Sequence, residues 1–127
     1  MRALLNPPVP QNIKRNDWTG DSVKGVLYTN GTASAALNMP SGACVITIEA
    51  KGSRAGGVWP YMVVELDGSE IGETFVDTDI FRKYTFYIES EKGVKVLSAT
   101  FINDGYDKTT KEDRNLFLDN AWVEKRP

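Results

Sequence analysis

Two stretches of the chain gather the side chains able to bind or transform a ligand. The longer, from Phe101 to Asp119, places Asp104, Asp107, Glu112, Asp113 and Asp119 with Asn103 and Asn115 in or beside one connection between strands. Calcium takes about six to eight oxygen ligands, and carboxylates, amides and loop carbonyls are of that kind. The spacing is not that of an EF-hand: positions three and five of a loop begun at Asp104 are Tyr106 and Lys108, and no helices flank it. The same acids also allow a merely solvated loop, or a glycosidase acid and base whose separation no spacing in the sequence establishes. The shorter stretch, Lys51 to Pro60, holds Gly52, Gly56 and Gly57, which let a backbone turn its carbonyls toward a common point. Trp59 precedes Pro60 and is thereby held extended. It reads either as a core residue or, with Tyr106, as an apolar platform for the C–H side of a sugar ring.

Composition narrows the chemistry. The 127 residues contain no histidine, which removes Ser–His and Cys–His pairs and imidazole metal ligands. The single cysteine, Cys44, permits neither an internal disulfide nor a cysteine-based zinc site, and its apolar run makes it a small core residue. A non-enzyme is expected. The formal net charge of -2, with Lys and Arg scattered, leaves no field to collect phosphates, so nucleic acid is not an expected partner. The apolar residues near Met1 are too few for a secretory core or a membrane helix, so no membrane partner is expected and nothing here targets the chain.

The elements that must position these residues are strands. Residues 1–22, rich in Pro, Asn and charge, read as an extended arm or linker that Trp18 pins to the core, and 23–127 as the folded domain. Strands are expected at Val23 to Tyr28, Ala33 to Leu37, Cys44 to Lys51, Tyr61 to Leu66 and Glu70 to Phe75. Four more follow at Lys83 to Glu89, Val94 to Ile102, Leu116 to Leu118 and Ala121 to Glu124. Three stripes alternate one-sidedly: Ile46, Ile48 and Ala50; Tyr84, Phe86 and Ile88; Leu97, Ala99 and Phe101. Such stripes imply two sheets that bury their inner faces together. With the hairpin signal Asp67-Gly68, the expectation is an all-β sandwich of jelly-roll type.

Taken in order, Lys51-Gly52-x-x-Ala55-Gly56-Gly57, Asp67-Gly68, Phe101-x-Asn103-Asp104, Asp113-Arg114-Asn115-Leu116 and Asp119 resemble the calcium-dependent xylan-binding carbohydrate-binding modules, family sixty and its circularly permuted relative, family thirty-six. The resemblance spans roughly Ala43 to Glu124. It implies a jelly roll whose loop-bound calcium coordinates vicinal hydroxyls of a polysaccharide or oligosaccharide. Asp104 and Asp113 match the two acidic calcium ligands, carbonyls of the Gly52 to Gly57 loop would complete the shell, and Trp59, Tyr106, Asn103 and Asn115 are the candidate sugar contacts. Asp119 matches a recurrent acidic position as either ligand or turn anchor, and Asp107 and Glu112 stay open as further ligands. Two departures fall at the sugar site: the family has Glu after its Gly-Gly pair where this chain has Val58-Trp59-Pro60, and the Asp104 to Asp113 loop is longer. A module attached to a larger extracellular or cell-surface protein is implied. The competing reading is a structural or interaction domain in which calcium only staples the loop.

Overall fold

The computed structural model describes residues 11–126. Alternation builds the sheets. In β5 (Gly42–Ser53) the even-numbered Cys44, Ile46, Ile48 and Ala50 are fully buried, so the odd-numbered Lys51 and Ser53 that follow face outward. The strands before it are β1 (Asn12–Ile13), β2 (Thr19–Gly20), β3 (Val26–Leu27) and β4 (Gly31–Met39). After it come β6 (Tyr61–Leu66), β7 (Ser69–Phe75), β8 (Arg82–Ser90), β9 (Gly93–Phe101), β10 (Tyr106–Asp107), β11 (Glu112–Asp113) and β12 (Asn115–Lys125). One antiparallel sheet has the order β1-β12-β5-β8, with β3 also on β12, and the other β2-β4-β9-β6-β7. The β10–β11 ribbon stands apart from both.

The three stripes meet as expected. Ile46, Ile48, Ala50 and Phe86 of the first sheet pack with Leu97, Ala99 and Phe101 of the second, and Tyr84 and Ile88 lie half-buried against them. The fold is a β-sandwich of jelly-roll type. At Asp67-Gly68, φ values of 49° and 82° and the Leu66–Ser69 pairing make the two-residue hairpin that this dipeptide favours. Cys44 is buried, and that burial is the main cause raising its thiol pKa.

Local chemistry moves three boundaries. Val23 to Tyr28 is not a continuous strand: Lys24 and Gly25 adopt φ of 49° and 83°, and the N–H groups of Val23 and Val26 donate to each other's carbonyls, so only Val26–Leu27 pairs with β12. The two strands expected at Leu116 and Ala121 are one strand, β12, whose register against β5 shifts between Leu118 and Ala121. Asp119 and Asn120 there face the single residue Glu49, a β-bulge that in sequence imitates a turn. The described part of the stretch read as an arm, 11–22, contributes β1 to one sheet and β2 to the other. Ile13 and Trp18 are buried in the common core, and Trp18 Nε1 donates to the Asp119 carbonyl at 2.7 Å.

Trp18 therefore fills core volume and caps the bulge. Trp18→Ala is expected to cost about 3–5 kcal/mol in urea unfolding, and Trp18→Phe clearly less. Equal loss from both would show that the indole N–H, rather than the ring volume, carries the contribution.

Candidate functional site

The Gly-rich loop is a tight turn. Ala55 and Val58 exchange both backbone hydrogen bonds at 3.0 Å, and Gly56 and Gly57 sit at φ of 59° and 78°, the paired left-handed conformations of a type I′ hairpin. The turn is then seized by Arg114. Its Nε donates to the Val58 carbonyl at 2.8 Å, Nη2 to the Ala55 carbonyl at 2.7 Å and Nη1 to the Asn103 carbonyl. The Arg114 N–H donates to the Gly105 carbonyl at 2.9 Å. A Cβ at position 105 would lie 2.7 Å from Arg114 Nη1, so glycine there leaves room for the guanidinium.

Asn103 extends the clamp. Its Oδ1 accepts from the Tyr61 N–H at 2.7 Å and its Nδ2 donates to the Trp59 carbonyl at 3.0 Å, which fixes the backbone on both sides of Pro60. Gly52 lets that segment approach: a Cβ there would meet the Pro60 Cγ at 2.5 Å. The Gly52 N–H donates to the Thr78 carbonyl and the Val76 N–H to the Pro60 carbonyl, both at 2.8 Å, bringing in the connection after β7. The Ser53 hydroxyl donates to the Asp113 carbonyl at 2.7 Å and accepts from the Asn115 N–H at 3.0 Å.

These contacts surround a cleft of about 570 Å³ lined by Gly52, Ser53, Arg54, Trp59, Asp77, Thr78, Asp79, Glu112 and Asp113. Trp59 is half-buried and outside the core cluster, with the Arg54 guanidinium 5.7 Å from its ring centre. The indole also lines an adjoining hollow with Phe75 and Asp77. Glu112 pairs with Arg54 at 3.9 Å and Asp77 with Arg82 at 3.2 Å, whereas Asp79 and Asp113 have no ion-pair partner among the described residues.

Residues 45–126 match the family model described as Ca-dependent carbohydrate-binding module, xylan-binding (CBM60). The chain belongs to this family. Among solved structures, the CBM36-1 domain of a multidomain xylanase from the hindgut metagenome of Trinervitermes trinervoides is similar at a TM-score of 0.68 and 11% identity, with 91% of this chain and 97% of that one covered. A CBM36 module in complex with calcium and xylotriose is similar at a TM-score of 0.60 and 9% identity, covering 89% and 98%. CsCBM6-3 from Clostridium stercorarium in complex with cellobiose is similar at 0.57 and 15%, covering 96% and 100%. At these identities the likeness is one of fold. Comparison with curated protein sequences finds no match.

In this CBM60 module the residues singled out from sequence fall in several places. Trp59 and Asp113 line the same cleft. Asp104 is exposed just beyond β9, its N–H donating to Asn30 Oδ1 at 2.7 Å, and is not among the cleft-lining residues. Tyr106, 58% exposed, borders a smaller neighbouring pocket with Asp107 and Arg114. Asn115, with its amide turned to satisfy both ends, donates to the Arg114 and Tyr28 carbonyls, so like Asn103 it holds backbone. Asp107 Oδ1 accepts from the Thr109 and Thr110 N–H groups and shapes its own turn. Asp119 faces Arg15 at 3.3 Å, on the bulge. Arg54, Asp77, Asp79 and Ser53 were not singled out; the available signal was Asp77-Thr78-Asp79, an oxygen-rich break between two strands.

The donor set suits calcium in kind, since the cleft offers carboxylates and hydroxyls and no histidine or thiolate. Among the described residues no group of three or more acidic, histidine or cysteine side chains is arranged to hold a metal. An ion here would lean on one or two carboxylates plus neutral oxygens, a shell with positions left for water or a ligand hydroxyl.

Arg114→Lys replaces a fixed fork by a single ammonium and strands at least one partly buried carbonyl, at about 1–3 kcal/mol for each group left unsatisfied. Thermal melts should show that loss, and hydrogen exchange should quicken at Ala55 and Val58 while the β5–β8 amides stay protected. Uniform acceleration throughout the sandwich would contradict a local clamp.

Proposed function

We propose that this module binds a polysaccharide without transforming it, holding vicinal hydroxyls of the sugar at a calcium ion in the Trp59 cleft. The observation that carries the reading is the presence on one cleft of a half-buried indole outside the core and the carboxylate of Asp113, which has no ion-pair partner among the described residues. Asp113 is the acidic ligand of this site, and Asp104, which lies outside the cleft lining, is not proposed as a ligand of the same ion. When bound, calcium would supply two oxygen contacts of fixed spacing, which select adjacent hydroxyls. Trp59 would cover the C–H side of the same ring, with Arg54 behind the indole to hold its plane. Xylan is the favoured ligand class because the family is described as xylan-binding. The match to a domain of a multidomain xylanase, and to part of a ruminal GH26 endo-beta-1,4-mannanase of which this chain covers 27%, supports a module appended to a larger extracellular enzyme.

Calcium as a mere staple is the weaker alternative, because Arg114 already ties the three loop segments together through their carbonyls. Catalysis by the cleft carboxylates is disfavoured because the matching family is described as a carbohydrate-binding module.

Saturating calcium should raise the melting temperature and EDTA lower it, since a ligand at 100 times its Kd adds about 2.7 kcal/mol to the folded state. Asp113→Ala should abolish calcium and glycan binding together. Trp59→Ala should weaken retention in xylan affinity electrophoresis by about tenfold or more while leaving the melt nearly unchanged. A melt indifferent to chelation would refute the calcium site, and calcium binding without retention by any polysaccharide would favour the staple. Purified module should release no reducing sugar from xylan or mannan; release abolished by Asp79→Asn or Asp113→Asn would reverse the non-catalytic assignment.

A further inference from the structure

Beside the cleft, the outer face of the first sheet carries a second concavity. This groove, of about 580 Å³, is bordered by Arg15, Lys24, Tyr28, Lys51, Phe81 and Phe117 among others. Three cations converge there on a chain whose net charge is -2. Only Arg15 has an ion-pair partner among the described residues, Asp119 at 3.3 Å; Lys24 and Lys51 have none. The Lys51 ammonium is held 4.8 Å from the Phe81 ring centre and 5.2 Å from that of Phe117. Two aromatic faces fix such a group without accepting its N–H donors as a carboxylate does, so it stays poised for an anion. Tyr28 is 54% exposed and offers an open ring beside it.

The groove is in line with the cleft. Lys51 pairs directly with Phe117, and Ser53 with Asn115, across the β5–β12 ladder. Lys51 and Ser53 share the outward face two residues apart, a step of roughly 7 Å. A saccharide lying over Ser53 thus reaches the Lys51 ammonium within one sugar unit.

We propose that this groove binds the carboxylate of a uronate residue, Lys51 and Lys24 pairing with the anion and Tyr28 stacking on the pyranose, and so directs the module to acidic, uronate-bearing glycans. In its application to xylan the proposal rests on the cleft reading above, whereas the groove's own affinity for uronate does not. Charge complementarity with ring-stacking surface distinguishes this occupant from a neutral sugar, which would leave both ammonium groups unpaired.

The test is affinity electrophoresis and calorimetry on the whole chain, wild type beside Lys24→Met/Lys51→Met, with circular dichroism to confirm folding. With calcium, wild type should bind a xylo-oligosaccharide carrying one uronate branch on the order of tenfold tighter than its neutral counterpart, an advantage that shrinks as salt rises. The double variant should lose that advantage and keep the neutral affinity. In EDTA, wild type should still be retarded by oligogalacturonate and the variant should not. That result would uphold the groove even if neutral xylan were never bound, which would refute the cleft alone. Equal affinity for both xylo-oligosaccharides, a preference that survives the double substitution, absence of oligogalacturonate binding in EDTA, or equal retardation by polyglutamate would each overturn the proposal.

Discussion

Three backbone carbonyls from separate points of the chain, Ala55, Val58 and Asn103, converge on the guanidinium of Arg114. Carbonyls aimed at one place repel one another and need a positive centre; a permanently charged, planar fork meets that need in fixed directions. Because Arg114 lies between Asp113 and Asn115, the clamp also sets where those neighbours stand. Through it, contacts within the polypeptide help to set the positions of Trp59 and Asp113 around the cleft.

The two outer faces of the sandwich are chemically unlike. On the second sheet the outward positions of β4 and β9 pair as hydroxyl rungs, Thr32 with Thr100 at 2.9 Å and Ser34 with Ser98 at 3.0 Å. Small hydroxyl residues that satisfy one another leave little for a ligand to grip. The first sheet shows Phe117, Trp122 and Tyr87 with Lys83, Lys51 and Arg126 stacked on or near aromatic rings. The close approach of the layers depends on Gly72, where a Cβ would meet the Phe86 ring at 2.5 Å.

The sandwich was legible because burial of one face imposes a period of two, and the stripes of β5, β8 and β9 carry it, Thr47 being a buried exception on the outward side of β5. Asp67-Gly68 was legible because its conformation is intrinsic to the dipeptide. What the sequence concealed were effects of tertiary pairing. Asp119-Asn120 resembles a turn locally, and only the unbroken ladder to β5 makes it a bulge. The acidic loop suggested a metal cage, yet its acids disperse to separate tasks: Asp107 to a turn, Glu112 to Arg54, Asp119 to Arg15. Composition records which oxygens are present and is silent on where each one points. The cleft's other wall, Asp77 to Asp79, comes from a connection distant in sequence and reaches the site through backbone bonds that no pattern of side chains announces.

The bulge in β12 has a consequence for how such a strand can change. Before it, odd-numbered residues Asn115 and Phe117 look outward; after it, even-numbered Trp122 and Glu124 do, while Leu116, Leu118, Ala121 and Val123 remain buried. The strand is thus two reading frames spliced at Asp119-Asn120, with the Trp18 indole fastened to the splice. Loss of one residue there would merge the two frames into one uninterrupted alternation, with Leu116, Leu118, Ala121 and Val123 still on the inner face and the bulge gone. The amino-terminal segment, far from the cleft along the chain, thus fastens the one point where the strand changes frame.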